Sequence, residues 1–160
     1  ELGPVLAAIM VAGRASSGMA TVIGTMRVTE QIDAMKTMAV DPIQYLIVPR
    51  VWGTFLMMPV LCAVFDFVGI VAAYVVGIGF SNVDFGSFDA MIDSLLNPFD
   101  VVGGLIKSAI FGLILSFIGC YKGYYAAGGA RGVGEATTDS VVYASVTILI
   151  LGYFLTMILW

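Results

Sequence analysis

Three charges stand where a charge is expensive. Arg14, Asp66 and Lys107 each interrupt a long apolar run. An ionisable side chain in hydrocarbon costs about 3 kcal/mol on insertion scales and more in simulation, so each needs a partner or a wet cavity. Two uses fit them. One is an internal ion pair, Asp66 with Arg14 or with Lys107, that holds helices together; the other is a direct role along an ion or proton path. A second group lies at residues 26–50, where Arg27, Glu30, Asp33, Lys36, Asp41 and Arg50 crowd together. There Val28, Ile32, Met35 and Ala39 recur at helical spacing, with Glu30, Asp33 and Lys36 on the other positions. The pattern predicts a short amphipathic helix over residues 28–39. Asp41-Pro42 closes it, because proline disfavours helix at the residue before it. Such a helix is either a connector lying on lipid headgroups or a docking element that fits a groove on a partner.

Other chemistries find little support. There is no histidine, and Cys62 and Cys120 both fall inside apolar runs. They read as small buried hydrophobes rather than as a disulfide or part of a metal set. Gly103-Gly-Leu-Ile-Lys-Ser108 lacks the spacing of a phosphate-binding loop, and Gly128-Gly-Ala-Arg-Gly-Val-Gly134 lacks the strand and helix of a dinucleotide site. The latter reads as a flexible turn. No nucleotide site is expected in this chain, and no basic stripe suggests nucleic acid.

The elements that must position these charges follow from composition. The 160 residues are 60% hydrophobic and 11% charged, with a mean hydropathy of +1.02. Average soluble domains carry about 25% charged residues, so water cannot wet this surface all round, and large exposed apolar patches would aggregate. Lipid is the solvent that fits. About 20 apolar residues cross a bilayer as a helix, and runs at about 2–25, 51–80, 101–127 and 140–160 supply four such spans. The expected fold is all-α: a polytopic, four-helix membrane domain with the short helix at 28–39. Residues 81–100 read as a polar connection and 128–139 as a Gly-rich loop. The opening Glu1-Leu-Gly-Pro has neither an initiator Met nor a signal-peptide pattern, so a missing N-terminal part is expected.

Basic residues orient the spans. The first connection carries Arg27, Lys36 and Arg50, the third Lys122 and Arg131, and the second carries none. The first and third are therefore expected on the cytoplasmic side, with both chain ends on the other. Arg14 lies thirteen residues past Glu1, roughly 20 Å along a helix and toward the cytoplasmic half. Lys107 lies seven residues past Asp100, roughly 10 Å in from the outer side. Gly13 and Ser17, Ala20 and Gly24, Gly69, Ala73 and Gly77, and Gly119, Gly123 and Ala127 form small-xxx-small series. Such faces let backbones approach in lipid, where no hydrophobic drive acts between helices.

Several strings tip the balance toward a docking role for residues 28–39. Glu1-Leu-Gly-Pro-Val, Ala12-Gly-Arg14, Gly24-Thr-Met-Arg-Val-Thr-Glu-Gln-Ile-Asp-Ala34, Met38-Ala-Val-Asp-Pro42 and Pro49-Arg50 resemble the MlaE (YrbE) permease family, as do Gly103-Gly-Leu-Ile-Lys-Ser108 and Gly134-Glu-Ala-Thr-Thr138. Members of that family are membrane subunits of ABC transporters that work with MCE-domain proteins on phospholipids. The resemblance implies a multi-pass protein of the bacterial inner membrane that moves phospholipid between inner and outer membranes, in the manner of outer-membrane lipid asymmetry maintenance. It implies a second permease copy, an ABC ATPase subunit that holds the ATP and magnesium, and a periplasmic MCE-domain lipid-binding partner. The permease itself is expected to do no covalent chemistry and to hold no metal.

The resemblance further implies that residues 28–39 are the coupling helix seated on the ATPase. Glu30 and Asp33 would make its polar contacts, with Lys36 beside them, and Ile32 and Met35 would be the buried anchors alongside Val28. Glu1 and Lys107 match family positions near an outward-open lipid cavity. Lys107 offers a point charge for a phosphate, although the helix macrodipole alone would account for Glu1 at an N-terminus. Leu6, Met10, Phe111 and Leu115 are candidate apolar walls. The competing readings are an ion- or proton-coupled secondary transporter or channel using Arg14, Asp66 and Lys107, and a purely structural membrane anchor.

Overall fold

The computed structural model describes residues 2–79, 86, 90, 92, 94 and 98–159. Four helices are long and apolar enough to cross a membrane: α1 (Leu2–Val28), α3 (Ile43–Gly79), α4 (Pro98–Tyr124) and α5 (Gly129–Leu159). A short α2 (Gln31–Thr37) follows α1. No strand occurs among the described residues. The chain is an all-α, polytopic membrane domain.

Local chemistry sets the helix ends. Pro4 stands in the first turn of α1, where its missing N–H is harmless. Glu30 (φ 59°) and Ala39 (φ 58°) take left-handed conformations on either side of α2. Asp41 Oδ1 accepts a hydrogen bond of 2.9 Å from the Ile43 N–H, occupying a donor that a helix start leaves free. Gly128 (φ +92°) and Gly129 (φ +71°) carry the turn between α4 and α5.

This last turn differs from expectation. The stretch 128–139 is helical from Gly129 onward, not a Gly-rich loop or flexible turn. Ion pairs stitch it: Arg131 Nε to Glu135 Oε1 at 3.0 Å within α5, and Lys122 Nζ to Asp139 Oδ2 at 3.0 Å across to α4. The first helix likewise continues to Val28, and the third begins at Ile43 rather than near 51.

The register follows from close approaches. A Cβ added at Gly119 would meet the Ser16 carbonyl oxygen at 2.7 Å, and one at Gly123 the Ala20 carbonyl oxygen at 2.8 Å. Two glycines one turn apart therefore let α4 lie almost backbone to backbone on α1, and the two helices run parallel. α3 and α5 run the other way. Met58 of α3 packs at Gly112, and Thr21 of α1 shares a hydrogen bond of 2.9 Å with Thr137 of α5. α4 is central and touches all three other long helices. The core holds Ala8, Ala12, Met58, Phe111, Leu115, Ala144 and Ile148, all wholly buried. In lipid this close contact is stabilised by dispersion rather than by release from water. Many hydroxyls inside the helices bond back to their own carbonyls, as Thr54 does to Arg50 and Ser116 to Leu113, which satisfies them without water; the buried Ser16 Oγ, beneath Gly119, is an exception.

Candidate functional site

Parallel α1 and α4 against antiparallel α3 and α5 give the bundle two chemically different ends. The starts of α1 and α4 meet the ends of α3 and α5 at one; Arg27, Lys36, Lys122 and Arg131 gather at the other.

At the first end Lys107 is 2% exposed. Its Nζ donates to Thr156 Oγ1 at 3.1 Å, and that hydroxyl donates to the Gly152 carbonyl at 2.8 Å. Asp66 lies close against Gly3, where any side chain would collide with its carboxylate, and its Oδ2 accepts a contact of 3.6 Å from Cys62 Sγ. With Pro4, Phe65, Ile70, Asp100 and Gly104 it lines a cavity of about 440 Å³ between α1, α3 and α4.

Neither expected ion pair forms: among the described residues none joins Asp66 to Arg14 or to Lys107. The reason is axial level and face. Asp66 sits beside Gly3, eleven residues and roughly 16 Å along α1 from Arg14, while Lys107 points toward α5. Arg14 is exposed on a π turn, Ala12–Ser16, on the outer surface of α1. Glu1 lies outside the described residues.

The four expected cavity walls do not come together. Phe111 and Leu115 are 0% exposed inside the bundle core, while Leu6 and Met10 are exposed on the far side of α1. Periodicity gave each an apolar face but not which neighbour that face meets. Thr156 was not foreseen, although it is the only serine or threonine after Thr147 in a charge-free run.

At the basic end α2 is fastened to the bundle. Ile32 is 0% exposed and packs with Ile23 and Cys120, with Tyr124 and Met26 alongside. Arg27 Nη1 donates to Asp33 Oδ1 at 2.9 Å, and Lys36 Nζ lies 3.6 Å from the same oxygen. Arg27 and Lys36 also approach the Tyr124 ring, at 6.0 and 5.9 Å from its centroid. Two expectations change here. Ile32 is consumed by this chain's own core and cannot anchor a partner, and Asp33 is already held by Arg27. Val28 is the last residue of α1 rather than part of α2, and Met35 is half-buried. The face left outward carries Gln31, Ala34 and Met38, with Glu30 beside it.

A four-span helical bundle with a short polar-faced helix clamped to its basic end is a multi-pass membrane protein. The chain belongs to the MlaE permease family: the model of the family described as Permease MlaE matches residues 1–158. A probable ABC transporter permease protein of Rickettsia felis is 48% identical over 158 residues, covering 98% of this chain and 60% of that relative. The intermembrane phospholipid transport system permease protein MlaE of Haemophilus influenzae is 39% identical over 161 residues, covering 100% of this chain and 62% of that protein. The chloroplastic protein TRIGALACTOSYLDIACYLGLYCEROL 1 of Arabidopsis thaliana is 41% identical over 98% of this chain and 45% of its own length. The chain thus spans about three-fifths of the bacterial relatives it matches.

Proposed function

We propose that this chain forms the membrane-spanning part of an ABC transporter permease that moves phospholipid, with ATP hydrolysis supplied by a separate ATPase subunit. The observation that carries the reading is the seating of α2. A short helix is held by Ile32 beneath and by Arg27, Asp33, Lys36 and Tyr124 at its side, which ties it to α1 and α4. A motor protein pressing on its outward face would pass displacement straight into the spans. The names of the Haemophilus and Rickettsia relatives support the transporter class and, for the former, the lipid.

On this reading the basic end is cytoplasmic, in the bacterial inner membrane. The end bearing Lys107 faces outward, toward an MCE-type lipid-binding partner, and a second permease copy completes the pathway. Lys107, with Thr156 fixing its ammonium, supplies the positive charge for a phosphate at headgroup level. The docking contacts belong to Glu30, Gln31, Ala34 and Met38 rather than to Ile32. Ala34→Arg and Met38→Asp in the full-length protein test this: both should abolish ATPase co-purification while leaving membrane insertion intact. Undiminished capture of the ATPase by both variants would overturn the docking assignment.

A further inference from the structure

A trough runs along the outer face of the bundle between α4 and α5, starting at the basic end. Its head is a space of about 420 Å³ lined by Phe117, Ile118, Tyr121, Lys122, Tyr143 and Thr147. A second, purely apolar space of about 400 Å³ shares Phe117, Ile118 and Thr147 and continues past Leu113, Ile114 and Leu151 to Val51 of α3. From Lys122 to Leu113 is nine residues, roughly 14 Å along α4. That is close to half of a hydrocarbon core about 30 Å thick, the depth of one leaflet. Tyrosines at the head and aliphatic residues below reproduce the order of an interface above acyl chains.

The head of the trough is not simply basic. Lys122 Nζ lies 3.0 Å from Asp139 Oδ2 and 3.9 Å from the centroid of the Tyr143 ring. One turn further out, Arg131 and Glu135 neutralise each other. The site therefore presents one cation and one anion side by side, the mirror of a headgroup that carries a phosphate and a primary ammonium. An anionic glycerol headgroup would satisfy Lys122 but meet Asp139 as a like charge. A quaternary choline has no N–H to donate to Asp139, and the Tyr143 ring face it would seek is taken by Lys122.

We propose that the trough binds a phospholipid with an ethanolamine headgroup, its phosphate on Lys122, its ammonium on Asp139 and one acyl chain along Phe117, Ile118 and Leu113. The site lies at the opposite end from Lys107 and requires only that the chain spans a bilayer, so it stands or falls apart from the transport reading.

The test uses the full-length protein in nanodiscs, with Phe117→Trp as reporter and the parent protein giving the baseline from its own tryptophans. Tyr121→Trp is a second reporter should the first misfold. Phospholipids brominated on the acyl chain, with ethanolamine, glycerol or choline headgroups, serve as quenchers. Half-quenching of the introduced indole should need a several-fold lower mole fraction of the ethanolamine lipid than of either other. Asp139→Asn should erase that preference, and Lys122→Gln should raise the half-quenching fraction for all three. Equal quenching by all headgroups, a preference for the glycerol lipid, or no quenching because protein covers the trough would each overturn the proposal.

Discussion

Lys107 and Thr156 are joined by a 3.1 Å hydrogen bond that ties the early turns of α4 to the last turns of α5, with the lysine 2% exposed. A cation held this far from water is expensive unless its donors are used, so the Thr156 hydroxyl is a positioning group.

Thr156→Val should destabilise the protein by about 1–3 kcal/mol, since it leaves a buried charged donor short of a partner. Lys107→Met should cost less in the Thr156→Val background than alone, because the bond between the two side chains can be lost only once. Thermal unfolding of the four proteins in detergent measures this; strictly additive losses would show the pair to be uncoupled.

The parallel contact of α1 and α4 predicts a graded glycine series. Gly119→Ala places a methyl against the Ser16 backbone and should cost about 1–3 kcal/mol as overpacking. Gly18→Ala meets nothing within 4 Å and should be neutral or stabilising, because alanine is the better helix former. The same unfolding assay compares them.

Ile32 sits at the watery end of the bundle, so its burial draws on the hydrophobic effect in full. Ile32→Ala should cost about 2–5 kcal/mol locally. Hydrogen exchange of residues 31–37 should speed up before that of α4 does. Asp33→Ala removes only exposed pairs, of about 0.2–1 kcal/mol each, and its effect should shrink with added salt. Exchange in α2 that is unchanged by Ile32→Ala would mean that some other contact seats the helix.

The spans were legible because lipid imposes a simple rule: long apolar runs with rare charges. α2 was legible for a similar reason, its apolar residues recurring at helical spacing between charged ones. Sequence reasoning erred where side-chain chemistry overrode composition. Gly132 and Gly134 read as loop residues, yet the Arg131–Glu135 and Lys122–Asp139 pairs carry the helix through them. The candidate site was legible in type but not in place. Lys107 stood out as a costly charge, whereas Phe111 and Leu115 turned inward and Leu6 and Met10 outward, because a helical period does not name the neighbour it meets. The family resemblance offers Ile32 as an anchor for a partner, but its apolar side chain instead fastens α2 to its own bundle.

The most direct measurement of the central claim is transfer of a fluorescent phospholipid by the full-length permease reconstituted with its ATPase subunit. Transfer should require ATP, persist when a protonophore collapses the proton gradient, and fall at least tenfold on Lys107→Met. Transfer that continues without ATP, or that stops with the protonophore while ATP is present, would contradict it.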